Sequence, residues 1–262
     1  MRPFLAFDTA TDHLALAVGD LDAPGVVIAA DDFAAPRAAN TVLLGAVEAL
    51  LETVDLTPGA LTAVACGLGP GSFTGVRIGV ATAKGLAHGA GVPLVGFGTL
   101  DAIAWGVAGD GLIGVLGDAM RGEVYPALFE ARSGVPRRLC PDRVTAPDAI
   151  AAEWAALEAP LLLAGPGLRK HAEVFERHLG AAVSFAHERL WVPDGGCLVA
   201  AAWAASAGEG LRGVAAGKDG GPSTAHPGTV LPIYTRLSDA EETERRRTLP
   251  DASANGGAGG RR

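Results

Sequence analysis

A two-lobed α/β fold made by internal duplication is predicted by three observations. The order strand, strand, strand, helix, strand, helix runs through the first part of the chain and then repeats. Each half opens on an apolar strand ending in aspartate, Asp8 or Asp118, with a tight turn and a second strand behind it. The 262 residues fit one large domain or two small ones, at a soft prior of ~150 residues per domain.

The elements follow in order. Residues 4–7, 13–18 and 26–30 are short apolar runs split by turns rich in Asp, Gly and Thr, which reads as a meander. A helix is predicted over 37–53, where Val42, Leu43, Ala46, Val47, Leu50 and Leu51 recur at helical spacing. Residues 62–66 read as a buried strand, then a Gly-rich turn, a helix over 74–88 and a strand over 93–97. The second half gives strands at 112–116, 123–129 and 135–139, a helix at 148–157, a strand at 161–164, and helices at 168–179 and 196–207. The domains expected are a first lobe over 1–107 and a second over 108–217, whose last helix packs back on the first lobe. An extended closing segment over 218–238, with an edge strand at 230–235, precedes a disordered tail over 239–262. Two such halves facing each other across a cleft are the arrangement of actin-like and sugar-kinase-like ATPases, whose two hairpins hold nucleotide phosphates.

Composition excludes several classes. Hydrophobic residues make up 49% and mean hydropathy is +0.28, against a mainly disordered chain; aromatics at 5% leave an aliphatic, Ala-rich core. A net charge of −8 is a poor footprint for a stand-alone nucleic-acid binder. Cys66, Cys140 and Cys197 lie far apart with no C-x-x-C pair, so neither a disulfide framework nor a Cys-type zinc site is expected. The six histidines form neither H-E-x-x-H nor H-x-x-x-H, so no helical metal pair is offered. The first apolar run breaks at Asp8, too early for a signal-peptide core, and the longest apolar stretch falls far short of the ~20 residues that span a bilayer. A cytoplasmic protein is expected.

The strongest chemical signal runs from Gly67 to Arg77 between a buried strand and a helix. Gly69, Pro70, Gly71, Ser72 and Thr74 form a turn in which Ser72 or Thr74 caps the helix. A helix N-terminus there favours an anion. The pattern is neither a Walker A loop nor G-x-G-x-x-G, so a tight turn without ligand fits equally well. Gly71, Gly75, Gly79, Ala83 and Ala87 recur every four residues and line one face, for close packing on the chain's own sheet or on a partner. Val76, Val80 and Leu86 lie off that stripe and also need burial, which favours a partner surface shared with the 37–53 helix. The interface expected is Val42, Leu43, Ala46, Leu50, Gly75, Val76, Gly79, Val80, Ala83 and Ala87. A bulky residue at Gly79 or Ala83 is expected to block the partner without unfolding the chain.

The first hairpin, Asp8-Thr9-Ala10-Thr11, has the hydroxyls and the carboxylate of a phosphate-binding turn, so Asp8, Thr9 and Thr11 are candidate nucleotide-binding residues. An Asx-type turn held by Asp8 is the alternative. The second hairpin, residues 118–123, carries bulky Met120 and Arg121 where a phosphate loop needs small residues, so the pair reads as vestigial nucleotide chemistry. No catalytic residue and no metal ligand is assigned.

Phe7-Asp8-Thr9-Ala10-Thr11, the block from Gly69 to Gly79, Gly85-Leu86-Ala87, Gly122-Glu123-Val124-Tyr125 and Pro232-Ile233-Tyr234-Thr235-Arg236 together resemble the TsaB (YeaZ) family. The resemblance implies a duplicated actin-like (ASKHA, ribonuclease H-like) fold. It also implies a non-catalytic subunit that pairs with the catalytic homologue TsaD and works with the ATPase TsaE, or pairs with itself in isolation. The complex transfers a threonylcarbamoyl group to the adenosine beside the anticodon of tRNAs reading codons that start with A. ATP and Mg²⁺ are then used through the partners, with no cofactor of the chain's own, and tRNA is met through the complex. TsaD supplies a metal site on H-x-x-x-H, which this chain lacks. The family's His before the first helix is also missing from Arg37-Ala38-Ala39-Asn40. Two other readings compete: an independent ATP-using enzyme of the sugar-kinase type, and direct tRNA contact through a patch of Arg137, Arg138 and Arg143.

Overall fold

Strand β1 (Pro3–Asp8) is buried along its whole length and forms the centre of the first sheet. Its side chains alternate between two cores. Leu5 and Phe7 point to one face, Phe4 and Ala6 to the other. A computed structural model describes residues 1–107, 109–207 and 230–233. In it β1 pairs antiparallel with β2 (His13–Asp20), which pairs antiparallel with β3 (Ala23–Ala34). On its other side β1 runs parallel to β4 (Ala63–Gly67), and β4 runs parallel to β5 (Leu94–Phe97). The sheet order is β3-β2-β1-β4-β5.

The second sheet repeats this arrangement. Its central strand β6 (Gly111–Asp118) pairs antiparallel with β7 (Val124–Arg132), which pairs antiparallel with β8 (Val135–Arg138). Its other neighbour is β9 (Leu161–Ala164), in parallel, followed by β10 (Val183–Phe185), also in parallel. Read from the other edge, the order β8-β7-β6-β9-β10 matches the first sheet strand for strand. The two-lobed duplicated α/β fold is present.

The helices occupy matching positions. In the first lobe α1 (Ala39–Glu52) and α2 (Phe73–Ala90) cover the Leu5–Phe7 face. In the second, α4 (Pro147–Ala155) and α5 (Leu168–Leu179) cover the corresponding face of β6, with Trp154 and Phe175 buried against Leu116 and Leu163. The opposite faces are covered by exchange. Helix α3 (Thr99–Gly106) leaves the first sheet and buries Leu100, Ile103 and Ala104 on the second sheet, against Ile113, Val115 and Phe129. Helix α6 (Gly195–Ala207) leaves the second sheet and returns to the first. There Leu198, Val199, Ala201 and Ala202 pack on Phe4, Ala6, Ala15, Ala17 and Ala65. The facing alanines let helix and sheet approach closely. Val230 also returns to the first lobe and is buried in the core shared by Leu5 and Val76.

Two elements differ from the sequence reading. The 93–97 strand is followed by α3, which that reading passes over, and β10 was also missed. No strand is assigned to residues 230–233, although Ile233 donates its N–H to the Leu68 carbonyl at 2.8 Å. Residues 234–235 and the tail over 239–262 lie outside the described residues.

Candidate functional site

The first hairpin folds onto itself. Asp8 is buried, and its Oδ1 accepts the Ala10 N–H at 2.7 Å. Its Oδ2 accepts the Thr99 hydroxyl at 2.6 Å. Gly67 lies so close that a Cβ there would strike the carboxylate. Burial holds the Asp8 carboxyl above its ordinary range, against the pull of Thr99 and of the Ala10 amide. Thr9 is buried and donates its hydroxyl to the Gly75 carbonyl at 2.7 Å. Thr11 accepts the His13 N–H at 3.1 Å, a local turn contact. Asp8 and Thr9 thus direct their polar atoms into the protein, and of the three candidates only Thr11 stays near the surface.

The second hairpin repeats the aspartate turn. Asp118 Oδ1 accepts the Met120 N–H at 2.9 Å, as Asp8 does for Ala10. Its other oxygen is paired with Lys170 at 2.5 Å, near the start of α5. Met120 and Arg121 both have positive φ, 62° and 51°.

The Gly-rich turn fixes the start of α2. Gly69-Pro70 is a cis peptide. Ser72 is the N-cap; its hydroxyl accepts the Gly75 N–H at 3.2 Å, and its own N–H donates to the Ala10 carbonyl at 2.7 Å. The stripe of small residues then decides how α2 packs. A Cβ on Gly71 would meet the Ala10 carbonyl, one on Gly75 the Thr9 carbonyl, and one on Gly79 the Thr9 hydroxyl. The stripe therefore faces the chain's own hairpin. This corrects the expected interface: Leu43, Leu50, Gly75, Val76, Gly79, Val80, Ala83 and Ala87 are all buried in the first-lobe core. Val42 and Ala46 remain half-exposed. A tryptophan at Gly79 would break the hairpin contact, so it does not separate folding from docking.

The outward side of the same helices is different. On α1 it presents Thr41, Leu44, Gly45, Glu48, Ala49 and Glu52; on α2, Phe73, Thr74, Arg77, Ala81, Gly85 and His88. Leu44 is 61% exposed and Phe73 39%, with the Arg77 guanidinium 3.6 Å from the Phe73 ring centroid. Nothing lies within 4 Å of a Cβ built on Gly45 or Gly85. The duplicated lobe supplies an internal control. Helix α5 carries seven titratable side chains, while α1 and α2 together carry five. The α4–α5 side is dressed for water by ion pairs: Arg143–Glu153, and Arg177 and His178 with Asp148. The α1–α2 side is less densely charged and exposes more small residues.

The arginine patch is not free. Arg137 pairs with Glu130, Arg143 with Glu153, and Arg138 is buried among Asp101 and Asp142. Among the described residues no cluster of three metal-ligating side chains occurs, and no helix is long and apolar enough to cross a membrane. Burial pushes the Cys66 thiol up to about 12, and the Asp8 charge adds to the push.

Sequence reasoning missed Thr99 and Asp101 on α3. A signal was there: Leu100, Ile103, Ala104 and Val107 recur at helical spacing behind Gly98.

Comparison with known proteins gives a consistent result. The family profile described as "TsaD: tRNA N6-adenosine threonylcarbamoyltransferase" matches residues 34–161. The protein of Bacillus subtilis named "tRNA threonylcarbamoyladenosine biosynthesis protein TsaB" is 35% identical over 52% of this chain and 59% of its own length. Its Escherichia coli namesake is 40% identical over 48% of this chain and 54% of its own length. The chain thus spans little more than half of these curated relatives. The solved structure "YeaZ from Pseudomonas aeruginosa" covers 89% of this chain and 100% of its own, with a TM-score of 0.70 and 26% identity. Sequence shared over about half of the chain and architecture shared across both lobes lead to one conclusion: the chain is similar to the TsaB/YeaZ proteins.

Proposed function

We propose that this chain is a non-catalytic subunit of the tRNA threonylcarbamoyladenosine machinery. It docks through the outward side of α1 and α2 onto a TsaD-type catalytic partner and works with a TsaE-type ATPase in the cytoplasm. The observation that carries this reading is the contrast between the duplicated helix pairs. One pair sets the small residues Gly45, Ala49, Ala81 and Gly85 beside exposed Leu44 and Phe73, with Glu48, Glu52, Arg77 and His88 among them, where its counterpart is more densely charged. Small exposed residues let a second helix pair approach closely, and a lower density of charge reduces the desolvation cost of docking. The absence of a cofactor of its own is supported by the inward bonding of Asp8 and Thr9 and by the Lys170 pairing of Asp118. Contact with tRNA through the partner fits the pairing of Arg137, Arg138 and Arg143 inside the chain.

Co-purification with a TsaD homologue tests the reading. Ala81→Arg and Gly85→Trp are expected to weaken the complex at least tenfold while leaving the thermal transition in place. Glu173→Trp on α5 is expected to bind as wild type. Full binding by both α2 variants overturns the docking assignment. Micromolar MgATP binding by the isolated chain, measured by calorimetry, favours the sugar-kinase reading instead.

A further inference from the structure

Two side chains in the first turn of α3 reach into different lobes. Thr99 and Asp101 are fully buried and two residues apart. Thr99 grips the first lobe: its hydroxyl donates to Asp8 Oδ2 at 2.6 Å, and its N–H donates to the Gly69 carbonyl at 2.8 Å. Asp101 grips the second lobe: both its oxygens accept Arg138 Nη1, at 3.2 and 3.1 Å. Arg138 ends β8, and its guanidinium is fixed on every side. Nη2 donates to Asp142 at 2.5 Å, Nε donates to the Cys140 carbonyl at 2.8 Å, and the plane lies 5.6 Å from the Phe129 ring centroid.

These contacts have no water to fall back on. Breaking a buried, charge-assisted bond strands a charge in a low-dielectric interior, which costs far more than opening a surface pair. Burial pushes the Asp101 carboxyl up to about 6, with Arg138 opposing and Asp142 adding to the shift, so at neutral pH it is ionised and paired. The apolar contacts act in the same direction. Helix α3 lies on the second sheet and α6 on the first, and the two helices pack on each other. Relative motion of lobes is the default when the interface between them is small and polar, and hinge motion needs a few residues free to change. Here the connecting element is bonded at both ends.

We propose that α3 is a two-ended clamp that holds the lobes at one fixed angle, so that the chain moves as a single rigid body rather than as a hinged pair. Thr99 is the fastening to the first lobe and Asp101–Arg138 the fastening to the second. The two hairpins then do not close around a ligand. Whatever grips α1 and α2 also fixes the direction in which the second lobe points. The inference stands on the chain's own contacts, independently of what docks on it.

Spin labels on Glu48→Cys in α1 and Glu173→Cys in α5, in the full chain carrying Cys140→Ser, test this by dipolar distance measurement. The otherwise wild-type protein is expected to give one narrow distance that MgATP does not change. The double variant Thr99→Val/Asp101→Asn, which keeps the Arg138–Asp142 contact, is expected to shift the distance or at least double its width. A broad or two-peaked distribution without the clamp substitutions overturns the proposal. So does a folded double variant as narrow as the parent. Should the double variant fail to fold, Thr99→Val alone takes its place, and a parent-like width there overturns the proposal equally.

Discussion

The Thr9 hydroxyl donates to the carbonyl of Gly75 at 2.7 Å, across 66 residues of chain. This bond seats the first hairpin on α2 and requires the helix to present a bare backbone. Gly75→Ala would drive a methyl into the Thr9 carbonyl, at a cost of about 3 kcal/mol. Gly85→Ala, on the outward side with nothing within 4 Å, is expected to stabilise by about 0.5–1 kcal/mol through helix propensity. Urea denaturation of the two variants checks the opposite signs.

Ser72 caps α2 through the Gly75 N–H. Ser72→Ala leaves that donor without its side-chain acceptor and is expected to cost about 1 kcal/mol. Thermal unfolding followed by circular dichroism reads the loss, and Ser72→Asp is expected to recover most of it.

Acid dependence follows from Asp101. Its carboxyl is raised to about 6 in the folded chain, against ~3.9 when unfolded. Between those values the native state holds a proton that the unfolded state has released. The stabilisation is therefore full below pH ~4, declines as pH rises to about 6, and is flat above. Burial displaces Asp8 in the same direction, so it adds to the same trend. Denaturant midpoints at pH 5 and 7 are expected to include this contribution, at most ~1.4 kcal/mol per pH unit for one group. Asp101→Asn is expected to flatten its share.

Thiol chemistry gives a fourth outcome. Burial raises Cys66 to about 12 and Cys197 well above its ordinary value. Iodoacetamide at pH 8 is expected to leave both unmodified in the native protein and to label them after unfolding. Mass spectrometry of peptides resolves the sites. Native labelling of Cys66 would contradict the packing around β4.

The central strands were legible because burial on both faces leaves apolar runs such as Val64-Ala65-Cys66 that nothing else explains. The small-residue stripe of α2 was legible as a stripe but not as to direction. Glycines every four residues suit an inner or an outer neighbour equally, and what decides is the backbone of Thr9 and Ala10, more than 60 residues earlier. The exposed positions Gly45, Ala49, Ala81 and Gly85 passed unnoticed because each is an ordinary helix residue until both helices are set side by side. Helix α3 was missed for a different reason. It is only 8 residues long, its N-cap Gly98 offers no side chain, and Asp101 interrupts its apolar face. The charge that explains Asp101 lies 37 residues further on, at Arg138.

The return of α6 has a consequence for biosynthesis. The face of the first sheet formed by Phe4, Ala6, Ala17 and Ala65 stays bare until residues 195–207 have been made. At roughly 5–20 residues per second, that delay is on the order of ten seconds, during which the nascent first lobe has only one of its two cores. The N-terminal half is therefore bound to wait for the C-terminal half on the ribosome, and a chain cut short before α6 would be released with an apolar sheet face open to aggregation.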